Sequence, residues 1–342
     1  MNMTMFLPES ISTSQGDSDL RSLSSCEMEI FKNLCNHLNL SQSSKKVQIV
    51  YRGESKENLS NKLNEQYGTQ KFFEYLFDIG EKAKYFWSQT RTSLENLNYL
   101  KSIEDTDNET FKFIFNEFNS ILVRGNSNIF ENRARRLDEF KETQPDFISF
   151  FSNVRNLKKF LKKTNGVDNK IQLRDYYLYL LHTFNLDKIS FFVSTSFKRK
   201  VARRFAHERF APSKKGIIFY YFLPEPIYRY GVSSSSLQVG QSLWTSQGLP
   251  IYTQNFYPKQ YEVAVKGALF PHFILGLFDL DNNSFVVNPH VFKQEDQHVP
   301  LIPQQGFFID QENFDNTIKE TGYSGSVKRA GITGAYSDDF HR

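Results

Sequence analysis

The chain has 342 residues, enough for one large domain with an insertion or for two modest ones. Its 34 Phe and 17 Tyr supply rigid apolar mass for a core and for ligand walls, a load that excludes a disordered chain. The 42 basic and 38 acidic residues leave a net charge of +4, which permits an acidic partner such as a dinucleotide or RNA without requiring one.

Two cysteines, Cys26 and Cys35, exclude a disulfide scaffold, match no metal or redox spacing, and read as free thiols. Met1 to Ser10 lacks a basic stretch followed by a sustained apolar one, so no Sec-type signal is expected, and no apolar run reaches membrane-spanning length. Residues 1–46 read as a mobile lead and a packed helix, with Met28, Ile30, Phe31, Leu34 and Leu38 at helical spacing within Glu27 to Leu40. Val47 to Tyr51 reads as a strand closed by Arg52-Gly53. From Lys71 to Leu186 apolar residues recur three and four apart, which predicts a helical block over 70–186.

Near Lys188 the character changes. Strand-like runs follow at Ile189 to Val193, Gly216 to Leu223, Tyr261 to Val265, Phe273 to Phe278 and Ser284 to Val287, separated by Gly, Pro, Asn and Ser. An all-β or α+β core is predicted, in a domain spanning 47–293. Periodicity is lost beyond Lys293, and 294–342 reads as a tail that is poorly ordered unless a partner holds it.

Three segments place polar residues at the ends of apolar strands. In Val50-Tyr51-Arg52-Gly53 the guanidinium offers a planar fork of donors suited to pyrophosphate, and the glycine admits a ligand close to the backbone. In Phe191 to Phe197 the hydroxyls Ser194, Thr195 and Ser196 close a strand before the helical run Lys198 to Ala206, where they can cap the helix or hold a carboxylate or ribose. In Tyr257 to Gly267, strand alternation from Tyr261 puts Gln260 and Glu262 on one face. Singly, each is an ordinary strand end, N-cap or edge carboxylate.

Their order resembles the Arg/Ser/Glu class of mono-ADP-ribosyltransferases, which includes Rho-modifying exoenzymes, actin-modifying binary toxins and vertebrate surface transferases. The resemblance covers roughly Val47 to Val287 and implies an α+β ADP-ribosyltransferase fold of two facing, mostly antiparallel sheets around an NAD cleft, with the helical block as a large insertion. It implies that Arg52 grips the NAD phosphates, that Ser194 orients Glu262, and that Thr195 and Ser196 shape the nicotinamide-ribose pocket. Glu262 would bond the ribose 2′-hydroxyl and stabilise the positive charge that builds as the nicotinamide bond breaks.

Phe205 is placed on the wall of that pocket, with a core role equally open, and Arg209 as a second phosphate contact, with a solvated charge as the plainer alternative. Gln260, where arginine-modifying members carry Glu, points to a non-arginine acceptor, and Tyr257 sits where those relatives present an aromatic to the target, with packing on the core as the other reading. The expected target is a macromolecule, protein ahead of nucleic acid. Water as acceptor, or an idle NAD-binding module, are the alternatives. Such an enzyme would be of the toxin or effector type, working in the producing cell or delivered to another by a route without a Sec signal.

Other signals carry less. Asp279 to Asn283 lacks the Gly and distal Glu of a calcium loop and reads as a hairpin turn. Seven His form no ligand pair, so no metal is expected. Lys158, Lys159, Lys162 and Lys163 read as a solvated helix face, as do the basic residues of Lys198 to Arg204.

Overall fold

The computed structural model describes residues 10–14, 20–45, 47–82, 107–124, 131–184, 190–207, 216–224, 231–233, 241–252, 258–266, 268–269, 273–292, 301–302 and 328–329. The chain divides into two units, one of Met1–Lys82, Val193–Gly231 and Gln260–Arg342, the other of Ala83–Phe192 and Val232–Lys259. The second overlaps the helical block expected over 70–186 and also takes in 232–259.

The strands are β1 (Ser10–Thr13), β2 (Arg21–Ser22), β3 (Val47–Glu54), β4 (Glu81–Lys82), β5 (Phe192–Ser196), β6 (Ile217–Pro224) and β7 (Gly231–Ser233). They continue as β8 (Glu262–Lys266), β9 (Ala268–Leu269), β10 (Ile274–Asp279), β11 (Ser284–Val287), β12 (Leu301–Ile302) and β13 (Lys328–Arg329). The helices of the first unit are α1 (Ser25–Ser43), α2 (Lys56–Leu63), α3 (Gln70–Ile79) and α9 (Arg199–Ala206). Those of the second are α4 (Asn108–Arg124), α5 (Glu131–Thr143), α6 (Pro145–Ser152), α7 (Leu157–Asn165), α8 (Lys170–Phe184) and α10 (Gln241–Ser246).

The fold is mixed α and β around a nine-stranded open sheet in the order β2-β1-β11-β10-β6-β3-β5-β8-β7. Where the sequence reading expects two facing sheets, the described residues form this one open sheet and two short two-stranded pairs, β12-β13 and β4-β9. Pairing around β3 is uneven. On one edge β3 pairs antiparallel with β6 through eight residues, Val47↔Pro224 to Glu54↔Ile217, while on the other it meets β5 at the single pair Tyr51↔Ser196. Part of the lead read as mobile is also a strand: β1 runs parallel to β11, from Ser10↔Ser284 to Thr13↔Val287. Its Ser-Ile-Ser-Thr sequence lacks the apolar alternation that marks a strand. After it, α1 starts on a capping box, with Ser24 and Glu27 each satisfying the other's backbone N–H.

Alternation along β3 gives the sheet two differently covered faces. Ile49 and Tyr51 meet Leu38 of α1, and Gly53 meets α9. Arg52 and Glu54 point the other way, toward charges from α2 and β4. Cys35 is buried on α1 and Cys26 is exposed; both are free thiols.

The second unit accounts for much of the phenylalanine. Phe118, Phe147, Phe151 and Phe160 pack with Tyr177, with ring centroids 4.7 Å apart for Phe118–Phe151 and 5.4 Å for Phe160–Tyr177. Tyrosine hydroxyls then tie down the segment after α10. Tyr176 donates to the Tyr252 carbonyl at 2.9 Å and Tyr177 to the Pro250 carbonyl at 3.1 Å. One lysine of the basic patch has a structural duty: Lys163 Nζ donates to the Gln247 carbonyl at 2.6 Å, whereas Lys158 and Lys162 are exposed.

Candidate active site

The three sequence-distant segments come together in the first unit, on β3, β5 and β8, which are neighbours in the sheet. Arg52 makes the first link, its Nη1 donating to the Ser194 carbonyl at 2.9 Å. Nη2 donates to Glu54 Oε2 at 2.8 Å and lies 3.8 Å from Glu81 Oε1. Lys62 completes the cluster, 3.1 Å from Glu54 and 2.7 Å from Glu81. Two cations and two carboxylates therefore neutralise one another.

Burial alone would lower the Arg52 pKa, but Glu81 and Glu54 hold it above its usual value. Burial works against ionised Glu54 too, and Lys62 and Arg52 overcome it, bringing that carboxyl down to about 2. Arg52 Nε, Glu81 Oε2 and Tyr221 OH are buried there and find no hydrogen-bond partner among the described residues. The fork assigned to NAD phosphates thus has both terminal nitrogens engaged by protein, with 18 % of its side chain exposed.

Gly53 has a different duty from the one expected. A Cβ there would overlap the Ala202 carbonyl oxygen and crowd the Ala206 amide, so α9 lies directly on the strand backbone. Helix packing, not access for a ligand, accounts for the glycine at this position.

The hydroxyls at the end of β5 lock it to the β8 segment. Thr195 Oγ1 donates to the Val263 carbonyl at 2.7 Å, Ser196 Oγ to the Gln260 carbonyl at 2.6 Å, and the Phe197 amide to the Tyr261 carbonyl at 3.1 Å. Ser196 Oγ also accepts from the Lys198 amide at 3.1 Å, turning the chain into α9. Thr195 and Ser196 are buried, with their hydroxyl protons on backbone carbonyls, while Ser194 is partly exposed.

The Gln260–Glu262 segment departs from the expected strand. β8 begins at Glu262, not at Tyr261; Gln260 ends a 3-10 turn opened by Pro258, and Tyr261 is left-handed at φ 47°. Strand alternation therefore cannot place Gln260 and Glu262 on one face, because the two lie across a kink. A bulky residue in this backbone region is strained, and such strain persists where neighbours over-determine it. Here the two consecutive carbonyls, Gln260 and Tyr261, are gripped by the β5 end. The kink leaves Tyr261 52 % exposed and Glu262 8 % exposed at the head of a buried strand.

Phe205 shares α9 with the buried Val201, Ala202 and Ala206 yet is 46 % exposed, so the core role left open for it does not hold. Arg209 and Tyr257 lie outside the described residues, as does Gly267. The hairpin expected at Asp279 joins β10 to β11, with Asp279 accepting from the Asp281 amide at 2.8 Å. Lys56 sits on the same carboxylate at 2.8 Å. Among the described residues no group of three or more His, Cys, Asp or Glu could hold a metal, and no helix is long and apolar enough to cross a membrane.

Sequence reasoning missed the partners of Arg52. Glu54 was within reach of strand alternation, two residues along the same face. Lys62 and Glu81 carried no signal, because only tertiary packing brings them there. Comparison with protein-family models, with curated proteins and with solved structures finds no match.

Proposed function

We propose that the chain is a mono-ADP-ribosyltransferase that takes NAD as substrate, releases nicotinamide and passes ADP-ribose to a macromolecular acceptor. The observation that carries this is the convergence of Arg52, the Ser194–Ser196 end and Glu262 on three adjacent strands, linked by Arg52 to the Ser194 carbonyl and by three bonds from β5 to the β8 segment. Nothing in the apolar patterning requires those segments to meet.

In this chemistry the bond from C1′ to the nicotinamide nitrogen breaks with its electron pair leaving on nicotinamide, and positive charge builds on the ribose. A carboxylate fixed at a buried strand head stabilises that charge without reorganising, and Glu262 meets the requirement. Ser194, the partly exposed member of the hydroxyl trio, orients it. Thr195 and Ser196 act through the backbone, holding the turn that sets the Glu262 position. Arg52 fixes the β5 end and presents a guanidinium that exchanges its Glu54 contact for a phosphate when NAD binds. Exposed Phe205 forms a wall against the nicotinamide ring. The neutral Gln260 supports an acceptor other than arginine.

The test is nicotinamide release from NAD by the purified chain with and without cell lysate, repeated with Glu262→Gln. Removing one preorganised charge from such a site lowers turnover by roughly 100- to 1000-fold, with the unfolding midpoint nearly unchanged. A variant that keeps more than a tenth of wild-type turnover takes Glu262 out of the chemistry.

A further inference from the structure

We infer that the acceptor is a single-stranded nucleic acid, docked on the solvent face of α9 with one base stacked on Tyr261. The inference rests on the transferase reading and names its acceptor, in place of the protein acceptor expected from the sequence.

The first observation is charge. Between Ser190 and His207 the chain has no Asp or Glu, and Lys198, Lys200, Arg203 and Arg204 are all exposed. None of the four has an ion-pair partner among the described residues. Lys200, Arg203 and Arg204 lie three and four apart, on the helix side away from buried Val201, Ala202 and Ala206. Like charges at these spacings repel and destabilise an isolated helix by a few tenths of a kcal/mol per pair. Other cations of the unit are matched, Arg21 with Glu27, Lys56 with Asp279 and Lys62 with Glu81, while Lys32, Lys45 and Lys71 stand exposed one at a time and not as a row. Even Arg199, next in the chain to Lys198, turns inward, its guanidinium 5.0 Å from the Phe278 ring. Among the described residues the α9 face thus keeps three charges without an ion-pair partner, Lys200 to Arg204, over about 6 Å of helix, with Lys198 just before its start.

The second observation is the aromatic at the end of that row. Tyr261 is 52 % exposed, held outward by its left-handed backbone, and lies directly between Gln260 and Glu262. Lys198 Nζ sits 5.4 Å from its ring centroid, so the ring and the basic row are contiguous. A basic track ending in an exposed aromatic is the arrangement that binds single strands: cations follow the phosphates, and an unstacked base lies on the ring. An acidic peptide would satisfy the charges and leave the ring without a planar partner. A duplex keeps its bases stacked away from any such platform.

A base held there sits one residue from the carboxylate proposed to stabilise the ribose cation. An amino nitrogen of the base forms the bond to C1′ as the bond to nicotinamide breaks. Nicotinamide takes that bond's electron pair, and the nitrogen gives its proton to water.

The experiment measures fluorescence anisotropy of the full chain with a short labelled single-stranded DNA, its RNA counterpart, the matching duplex and a labelled polyglutamate. Single strands should bind most tightly, with affinity falling as salt rises. Arg203→Ala with Arg204→Ala should reduce the slope of log affinity against log salt by about 1.4, at roughly 0.7 for each single-strand phosphate left without its cation. Tyr261→Asn, which tolerates the left-handed backbone, should weaken single-strand binding roughly 5- to 150-fold and leave that slope unchanged. Melting curves establish that the variants are folded. With adenine-labelled NAD, the transferred label should be sensitive to nuclease and resistant to protease. The inference is overturned if polyglutamate or duplex binds as tightly as single strands, if both variants bind like the wild type, or if the label is removed by protease alone. Nicotinamide release is read separately. Its absence with every acceptor would sink the transferase reading, while anisotropy still reports on the surface.

Discussion

Gly53→Ala separates two duties that a glycine beside a site can have. Its backbone is not left-handed, so alanine can adopt the conformation and the cost is purely one of space. The added Cβ would overlap the Ala202 carbonyl oxygen and stand 2.6 Å from the Ala206 nitrogen, where ordinary contact begins near 3.4 Å. The helix must then retreat by about 0.8 Å at Ala206, and by more at Ala202, and neither backbone group can swing aside as a side chain would. Retreat loosens the packing of Val201, Ala202 and Ala206, which are 4 %, 2 % and 0 % exposed, and of Gly216, which meets the Ala206 carbonyl. Overpacking of this kind costs about 1–3 kcal/mol, and the smaller conformational freedom of unfolded alanine returns roughly 0.4–1 kcal/mol of it. A net loss of roughly 1–2 kcal/mol is expected. It would be read as a lower urea midpoint by circular dichroism, and Gly216→Ala should behave alike. If Gly53→Ala unfolds like the wild type while its KM for NAD rises several-fold, the glycine serves ligand access and the packing argument is refuted.

Ser196→Ala removes the bond to the Gln260 carbonyl and the acceptor of the Lys198 amide, both in a buried place, and should cost about 1–3 kcal/mol. It should also lower kcat more than it raises KM, because the left-handed turn before Glu262 loses a clamp; unchanged kcat would show that the turn holds without it. Arg52→Lys leaves one amine where two terminal nitrogens serve Ser194 and Glu54, so stability and NAD affinity should both fall, the latter more than kcat. An unchanged KM for NAD would remove Arg52 from the phosphate site. Glu27, hydrogen-bonded by Arg21, and Glu54, beside Lys62 and Arg52, both have pKa values depressed to about 2 from 4.5. Carboxyls depressed in the fold contribute stability above their unfolded value and lose it as pH falls, so the urea midpoint should drop between about pH 4.5 and 2. Glu54→Gln should flatten part of that drop, and a midpoint independent of pH there would contradict the charge cluster.

The apolar patterning of β6 and β10 was readable because these strands are buried on both faces, and that of β3 and β11 because each holds a run of branched and aromatic residues, Ile49 to Tyr51 and Phe285 to Val287. The hairpin at Asp279 was readable for a related reason: its turn chemistry is local. The Ser-Thr-Ser and Gln-x-Glu segments could be picked out as polar endings of apolar strands, yet their backbone could not. Nothing local announces that Tyr261 is left-handed, since the state is imposed by bonds from residues over sixty positions away. The same holds for Gly53, where the sequence offers a glycine and only the packed helix supplies its reason. Phe205 fitted the apolar stripe of α9 by spacing, and its exposure depends on what lies beyond the helix. Residues 10–13 could not be read as a strand because a short run rich in hydroxyls has no pattern to find until β11 pairs with it.

The single Tyr51↔Ser196 pair makes the joint between β3 and β5 far narrower than the one between β3 and β6. On one side lies a ladder of eight pairs, costly to alter; on the other, a short segment whose hydroxyls add two bonds to the β8 side. Such a division is permissive to descent with modification. Substitutions on the β5–β8 side can re-aim the Gln260–Glu262 turn without disturbing the ladder beside it, so that in the proposed transferase acceptor choice and foldability would drift on separate clocks.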